Sequence, residues 1–158
     1  MPPRASAGLL IYRRNSSGAV EVLLGHYGGP FWARRDQGAW TVFKGRGHQG
    51  ETPLETATRE FEEETGWKAP SNPWLPLPEV KAANQIMNIW AVEADFDPEA
   101  LRPGTFSMEW PPRSGRIREF PEIDRAQWFS VPEARVKVVS SQGALLDLLI
   151  GILNRSRL

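Results

Sequence analysis

Residues 51–67 constrain this chain more than any other stretch: Glu-Thr-Pro-Leu-Glu-Thr-Ala-Thr-Arg-Glu-Phe-Glu-Glu-Glu-Thr-Gly-Trp. Thr52 can accept a backbone hydrogen bond three residues on, and Glu55 can reach back to complete a capping box. Pro53 sits at the favoured first helical position, and Gly66 suits the left-handed stop that ends a helix. These signals predict a helix over 53–65. Leu54, Ala57 and Phe61 recur at helical spacing as an apolar stripe. Each residue advances about 100°, so Glu60, Glu63 and Glu64 share one face while Glu62 points elsewhere. Such a helix can bury its stripe while the carboxylate face lines a cleft.

The flanking segments predict strands. Residues 7–12 read as a buried strand, residues 15–18 as a turn, and residues 20–24 as the hairpin partner. A short strand at 39–43 leads into a glycine-rich connection at Gly45, Gly47 and Gly50. Beyond the helix, four prolines make 70–78 irregular, 85–96 reads as a long strand, and 97–121 as a long loop rich in Pro, Arg and Gly. Another strand at 126–131, a helical turn at 132–136 and an amphipathic helix at 142–153 close the chain. Strands mixed with helices predict an α/β sandwich with a mixed sheet, and 158 residues suit one domain, 1–158.

Composition narrows the chemistry. There is no cysteine, which excludes disulfides, thiolate nucleophiles and sulfur-ligated metals. With His26 and His48 the only histidines, a bound metal would take oxygen ligands, which favours Mg²⁺ or Mn²⁺. The 19 basic and 19 acidic residues cancel, which argues against a stable nucleic-acid partner or an anionic membrane surface. No apolar run has the length of a membrane helix, and Met1-Pro2-Pro3-Arg4 does not lead into a secretory signal, so a cytoplasmic location is the expectation. The charge is nonetheless segregated. Residues 1–50 hold seven basic and two acidic residues, whereas 51–64 hold six glutamates and Arg59 alone as base. That pattern fits a site holding cations beside a phosphorylated ligand, and equally a solvated helix face.

Three like charges on one helix face repel, more so if buried, and a hard cation relieves the repulsion while leaving positions for water and phosphate oxygens. Arg59 can steady a glutamate by pairing with it, and a carbonyl near Lys44 or Gly45 can add an oxygen ligand. Read from Gly45, the string is Gly45-x5-Glu51-x7-Arg59-Glu60-Phe61-x-Glu63-Glu64-x-Gly66-Trp67. It resembles the Nudix box, matching all nine fixed positions across 23 residues. The resemblance implies a Nudix-type α/β/α sandwich with a mixed β-sheet. It implies an enzyme that hydrolyses a pyrophosphate bond in a nucleoside diphosphate linked to another group, using Mg²⁺ or Mn²⁺. Under it Glu60, Glu63 and Glu64 bind metal, Glu51 assists, and Arg59 holds the box glutamates in place. Phe43-Lys44-Gly45 replaces the Pro-Gly-Gly of many members. A lysine there is similar to members acting on dinucleoside polyphosphates and inositol pyrophosphates, which implies a substrate contact for Lys44. Those members usually read Pro-Lys-Gly, so Phe43 departs from them.

A carboxylate must accept the proton of the attacking water. A box glutamate (Glu63 or Glu64) is one candidate. Another is Glu122, just before the strand containing Trp128, with Glu119 and Glu109 as rivals. Outside the box, Phe31 and Trp32 sit in a Gly/Pro loop beside Arg34 and Arg35, so an aromatic ring can stack a base while arginines meet phosphate. Arg113, Arg116 and Arg118 form a second basic group. The expected partner is a small phosphorylated molecule such as a nucleotide; the oligomeric state is open. Two alternatives stand beside hydrolysis: a nucleotide-binding sensor of the same fold without turnover, and other chemistry on the same scaffold.

Overall fold

The computed structural model describes residues 4–82 and 84–155; the expectations at Met1-Pro2-Pro3 and at the outer limits of the 1–158 domain lie outside them. The first strand, β1 (Arg4–Arg14), is the hub of the sheet. It turns through 15–18 into β2 (Val20–Tyr27), the Asn15 carboxamide oxygen accepting from the N–H groups of Ser17 and Ala19, both at 3.0 Å. The single strand expected at 39–43 is instead two, β3 (Trp40–Thr41) and β4 (Phe43–Arg46). They part at Val42, whose N–H donates to the Gln142 side chain at 2.9 Å rather than to a strand. β3 pairs antiparallel with β2, while β4 crosses to pair antiparallel with β1. That crossing is tight: a Cβ on Gly8 would lie 2.1 Å from the Phe43 carbonyl oxygen, so only glycine fits.

The helix α1 (Pro53–Thr65) has the predicted limits. After it come β5 (Trp74–Pro76) and β6 (Val80–Ala82), both pairing with β7 (Gln85–Glu93). β7 runs parallel to β1 over nine residue pairs, which makes the sheet mixed. Residues 97–121 are more ordered than a loop. A 3₁₀ turn at Pro98–Ala100 precedes a hairpin of β8 (Thr105–Glu109) and β9 (Ile117–Pro121), which forms its own two-stranded sheet. Half-buried Phe106 and Met108 alternate with exposed neighbours there, a period-2 signal masked by the Pro and Arg crowding the turn. The chain ends with β10 (Ile123–Ser130), α2 (Val131–Lys137) and α3 (Gly143–Arg155). The main sheet runs β10-β2-β1-β7-β5.

Two apolar layers follow from the alternation along β1. Leu9 and Ile11 face α1, joining Leu23, Phe43, Ala57, Phe61, Val92 and Ile123. Leu10 and Tyr12 face the other way, against Trp40, Leu145, Leu146 and Leu149. The result is the expected α/β/α sandwich. No described helix is long and apolar enough to cross a membrane. One stripe residue departs from expectation. Leu54 is 51% exposed and lines the open groove beside α1 with Glu55 and Thr58, whereas Phe61 is fully buried. Phe61→Ala should therefore cost about 3–5 kcal/mol in a urea unfolding titration, and Leu54→Ala less than about 0.5 kcal/mol.

Candidate functional site

α1 is clamped at both ends by its own sequence. Thr52 Oγ1 accepts from the Glu55 N–H at 3.2 Å, and Glu55 Oε1 accepts from the Thr52 N–H at 3.0 Å. At the other end Gly66 adopts φ 73°, and its N–H donates to the Glu62 carbonyl. These caps fix which side chains share each face.

On the acidic face Arg59 is the organiser. Its Nε and Nη2 grip the two oxygens of Glu51 at 2.7 and 3.0 Å, and Nη2 also donates to the Arg46 carbonyl at 2.9 Å. Its Nη1 donates to Glu60 at 2.7 Å and to Glu63 at 3.2 Å. Glu51 accepts further from the His48 N–H and the Thr56 hydroxyl, so both its oxygens are committed to bracing the loop ahead of α1. The Arg59 hydrogen bonds foremost hold the Glu51 carboxyl well below the usual carboxylate range.

Glu60 lies flat on β4: a Cβ on Gly45 would meet its carboxyl carbon at 2.1 Å. This contact explains why a glycine must precede the acidic helix. One turn on, buried Glu64 accepts from the Lys44 N–H at 3.1 Å. Burial first, then the charges of Glu60 and Glu122, push its carboxyl above the ordinary value, and Lys44 only partly offsets them. Burial and the same kind of repulsion, here from Glu60 and Glu63, also raise Glu122. The Lys44 ammonium is lowered, by burial before all else.

Glu122 thus joins the helical carboxylates from the far side. It occupies the junction of β9 and β10, where its N–H donates to the Gly104 carbonyl and its carbonyl accepts from Gly28, both at 2.9 Å. The rivals stand elsewhere: Glu109 accepts from the Arg113 N–H in the hairpin turn, and Glu119 is exposed on β9. Between Glu64 and Glu122 opens a pocket of about 290 Å³, walled by Tyr27, Trp32 and Phe106. A larger groove of about 650 Å³ runs along the outer flank of α1 past Leu54 and Thr58. It has no aromatic wall, so the pocket beside Glu64 and Glu122 is the better match to a ligand.

The other expected contacts divide. Trp32 lines the pocket, tilted against Tyr27 with ring centroids 4.7 Å apart. Phe31 does not line it; its ring is 61% exposed and meets Trp110 edge-on at 5.4 Å. Arg34, Arg35 and Arg116 are exposed and outside the lining, although Arg35 stacks over Trp32 at 5.4 Å. Tyr27 and Phe106 are pocket walls that the sequence reading missed. Tyr27 extends β2 three residues past its expected end, and Phe106 belongs to the unforeseen hairpin.

Every donor this cluster offers is an oxygen, and Glu64 and Glu122 carry repulsion that Arg59 does not touch. Both points fit a hard divalent cation. Among the described residues, no three acidic or histidine side chains are already gathered into a chelate.

The family model described as the NUDIX domain matches residues 2–149. The chain belongs to the Nudix family. Solved Nudix structures share the fold. A Caenorhabditis elegans Ap4A hydrolase binary complex is 21% identical with a TM-score of 0.63, covering 96% of this chain and 98% of that one. A mutT/nudix family protein from Listeria innocua is 16% identical, TM-score 0.65, covering 99% and 97%. The NUDIX domain of Shewanella oneidensis NrtR, complexed with ADP ribose, is 11% identical, TM-score 0.64, covering 97% and 90%. A Myxococcus xanthus octanoyltransferase is 31% identical over 97 residues, 61% of this chain and 24% of the relative. The chain spans about a quarter of that curated relative's length.

Arg59 generates a stability prediction. Arg59→Ala leaves Glu51, Glu60 and Glu63 without their shared partner and should cost about 2 kcal/mol by urea unfolding. Arg59→Lys should recover little of it, because one ammonium cannot span five acceptor contacts in a fixed fork.

Proposed function

We propose that this Nudix enzyme hydrolyses a pyrophosphate bond in a nucleoside diphosphate linked to a second group, with Mg²⁺ or Mn²⁺ as cofactor. The observation that carries the reading is that Glu64 and Glu122 line one pocket together with Tyr27, Trp32 and Phe106. The acidic groups suit metal-bridged phosphates, and the aromatic rings suit a base.

Glu60, Glu63 and Glu64 would hold the cation, with the carbonyls at Lys44 and Gly45 as further oxygen donors. When bound, the metal neutralises phosphate charge and acidifies a coordinated water. The chain's own groups do the rest. Arg59 fixes Glu60 and Glu63 through Nη1, and Glu51 keeps Arg59 in place. Glu122, raised by burial and by its acidic neighbours, is suited to accept the proton of the attacking water. Lys44 balances the negative charge beside Glu64, and Trp32 stacks the base. Arg34, Arg35 and Arg116 are left for contacts with a long phosphate chain outside the pocket. Dinucleoside polyphosphates head the substrate class, given the Lys44-Gly45 pair and the likeness to an Ap4A hydrolase.

The test is a product-resolved screen with Mg²⁺ and Mn²⁺ over diadenosine polyphosphates, ADP-ribose, nucleotide sugars, nucleoside triphosphates and inositol pyrophosphates. Turnover should vanish with chelator and return with metal. Glu64→Gln should lower kcat by about 10³-fold, and unchanged rates would sink the reading. Trp32→Ala should raise KM by about tenfold for base-bearing substrates, from lost stacking. Tight nucleotide binding with no turnover anywhere in the panel would favour the sensor reading.

A further inference from the structure

His26 lies on β2 and is fully buried, outside the acidic cluster. Its Nδ1 is 2.9 Å from Asp124 Oδ1, and its Nε2 is 2.6 Å from the Arg35 carbonyl oxygen. Both partners are acceptors. Each ring nitrogen therefore has an acceptor oxygen within hydrogen-bond distance, so the ring bridges the two segments.

The two partners belong to different segments of the chain, each a few residues from a side chain that lines the pocket. Asp124 falls where the β2–β10 register slips, Ile123 facing Tyr27 and Arg125 facing His26, so Asp124 is the extra residue of a bulge. Bulges re-aim a side chain, and this one turns Asp124 toward the ring two residues after Glu122. The other partner, Arg35, donates its N–H to the Trp32 carbonyl at 2.9 Å, and the Trp32 N–H donates to Gly29 at 3.2 Å. Gly28 in turn donates to the Glu122 carbonyl. A Cβ on Gly28 would lie 1.8 Å from the Pro121 carbonyl oxygen, so loop and strand junction touch backbone to backbone. Hydrogen bonds, joined by the short chain segments 122–124 and 28–29, therefore close a circuit through His26, Asp124, Glu122, Gly28, Gly29, Trp32 and Arg35. Around it, Trp40 packs edge-on against the ring at 5.1 Å, Arg125 stacks over Trp40, and Asp36 binds both the Trp40 indole N–H and Lys137.

We propose that His26 is a positioning residue for the reaction. By joining Asp124 to the Arg35 carbonyl it fixes the loop over 28–38 relative to the β9–β10 junction carrying Glu122, and so sets where Trp32 holds the base. The inference rests on the reading that this pocket takes the substrate.

The experiment compares His26→Asn and His26→Gln in wild-type and Trp32→Ala backgrounds, using the fastest substrate among diadenosine tetraphosphate, ADP-ribose and GTP. Asn keeps a donor near the Nδ1 position and is too short for the Arg35 carbonyl. His26→Asn should raise KM by about tenfold with kcat within about twofold, and His26→Gln, which reaches toward the carbonyl, should recover most of the loss. In the Trp32→Ala background the His26→Asn effect should shrink to below about twofold, because the two act through one contact. An unmoved KM, or an equal rise in both backgrounds, overturns the proposal. Amide hydrogen exchange supplies a readout independent of turnover: residues 29–37 should exchange faster in His26→Asn while α3 keeps its protection, and an unchanged loop overturns the clamp. A wild type that hydrolyses nothing refutes the proposed function, whereas an active wild type with an indifferent His26→Asn refutes this inference alone.

Discussion

Mutual repulsion among carboxylates is the constraint around which this molecule is arranged. Glu51, Glu60, Glu63, Glu64 and Glu122 crowd one edge of the sheet, and burial makes their charges harder to bear. The protein answers in three ways. A single guanidinium spans Glu51, Glu60 and Glu63. A bare glycine backbone lets Glu60 lie against β4. A main-chain N–H and a half-buried lysine serve Glu64. What these leave uncompensated, at Glu64 and Glu122, gives the edge its affinity for positive charge. The zero net charge of the sequence says nothing of this; the relevant quantity is the local field, which is strongly negative where the helix meets the sheet and positive on the loops nearby.

How much of this could be read in advance depended on how local each cause is. The limits of α1 were legible because Thr52, Glu55 and Gly66 act within four residues of the backbone they cap. The sharing of a face by Glu60, Glu63 and Glu64 was legible for the same reason. The division of 39–43 into β3 and β4 was not, because Val42 is diverted by Gln142, a hundred residues away. Leu54 looked like core on the helical wheel, yet exposure depends on what packs against that turn, and Leu54 faces the open groove instead. The β8–β9 hairpin hid behind its turn composition. With it went Phe106, while Tyr27 was lost because β2 outlasts its apolar run. Pocket walls come from several elements meeting, and no window of sequence contains them.

His26 shows the same limit in another form. Alone in the sequence it is one buried-strand histidine. Its importance comes from partners 98 and 9 residues away that converge on its two nitrogens. One is reached through a bulge and the other through a carbonyl, and neither feature has a residue-type signature. Such satisfied buried polar groups specify a geometry more than they add stability.

The way β1 is shared has a consequence for how this chain can change over time. Its two faces are filled by separate apolar layers, and its edges by β2, β4 and β7. The β8–β9 hairpin stands outside both layers, whereas the loop at 28–38 is held by Trp32 against one of them and by His26, Trp40 and Lys137. Lengthening the hairpin turn costs mainly loop entropy, which grows slowly with length. The acidic edge, in contrast, is tied into β1 through Gly8 and β4 and cannot shift without disturbing the whole sheet. The proposed chemistry is thereby anchored to the least mutable part of the molecule, while the hairpin that supplies Phe106 to the pocket wall is free to vary, so under that reading a change of ligand need not disturb the reaction.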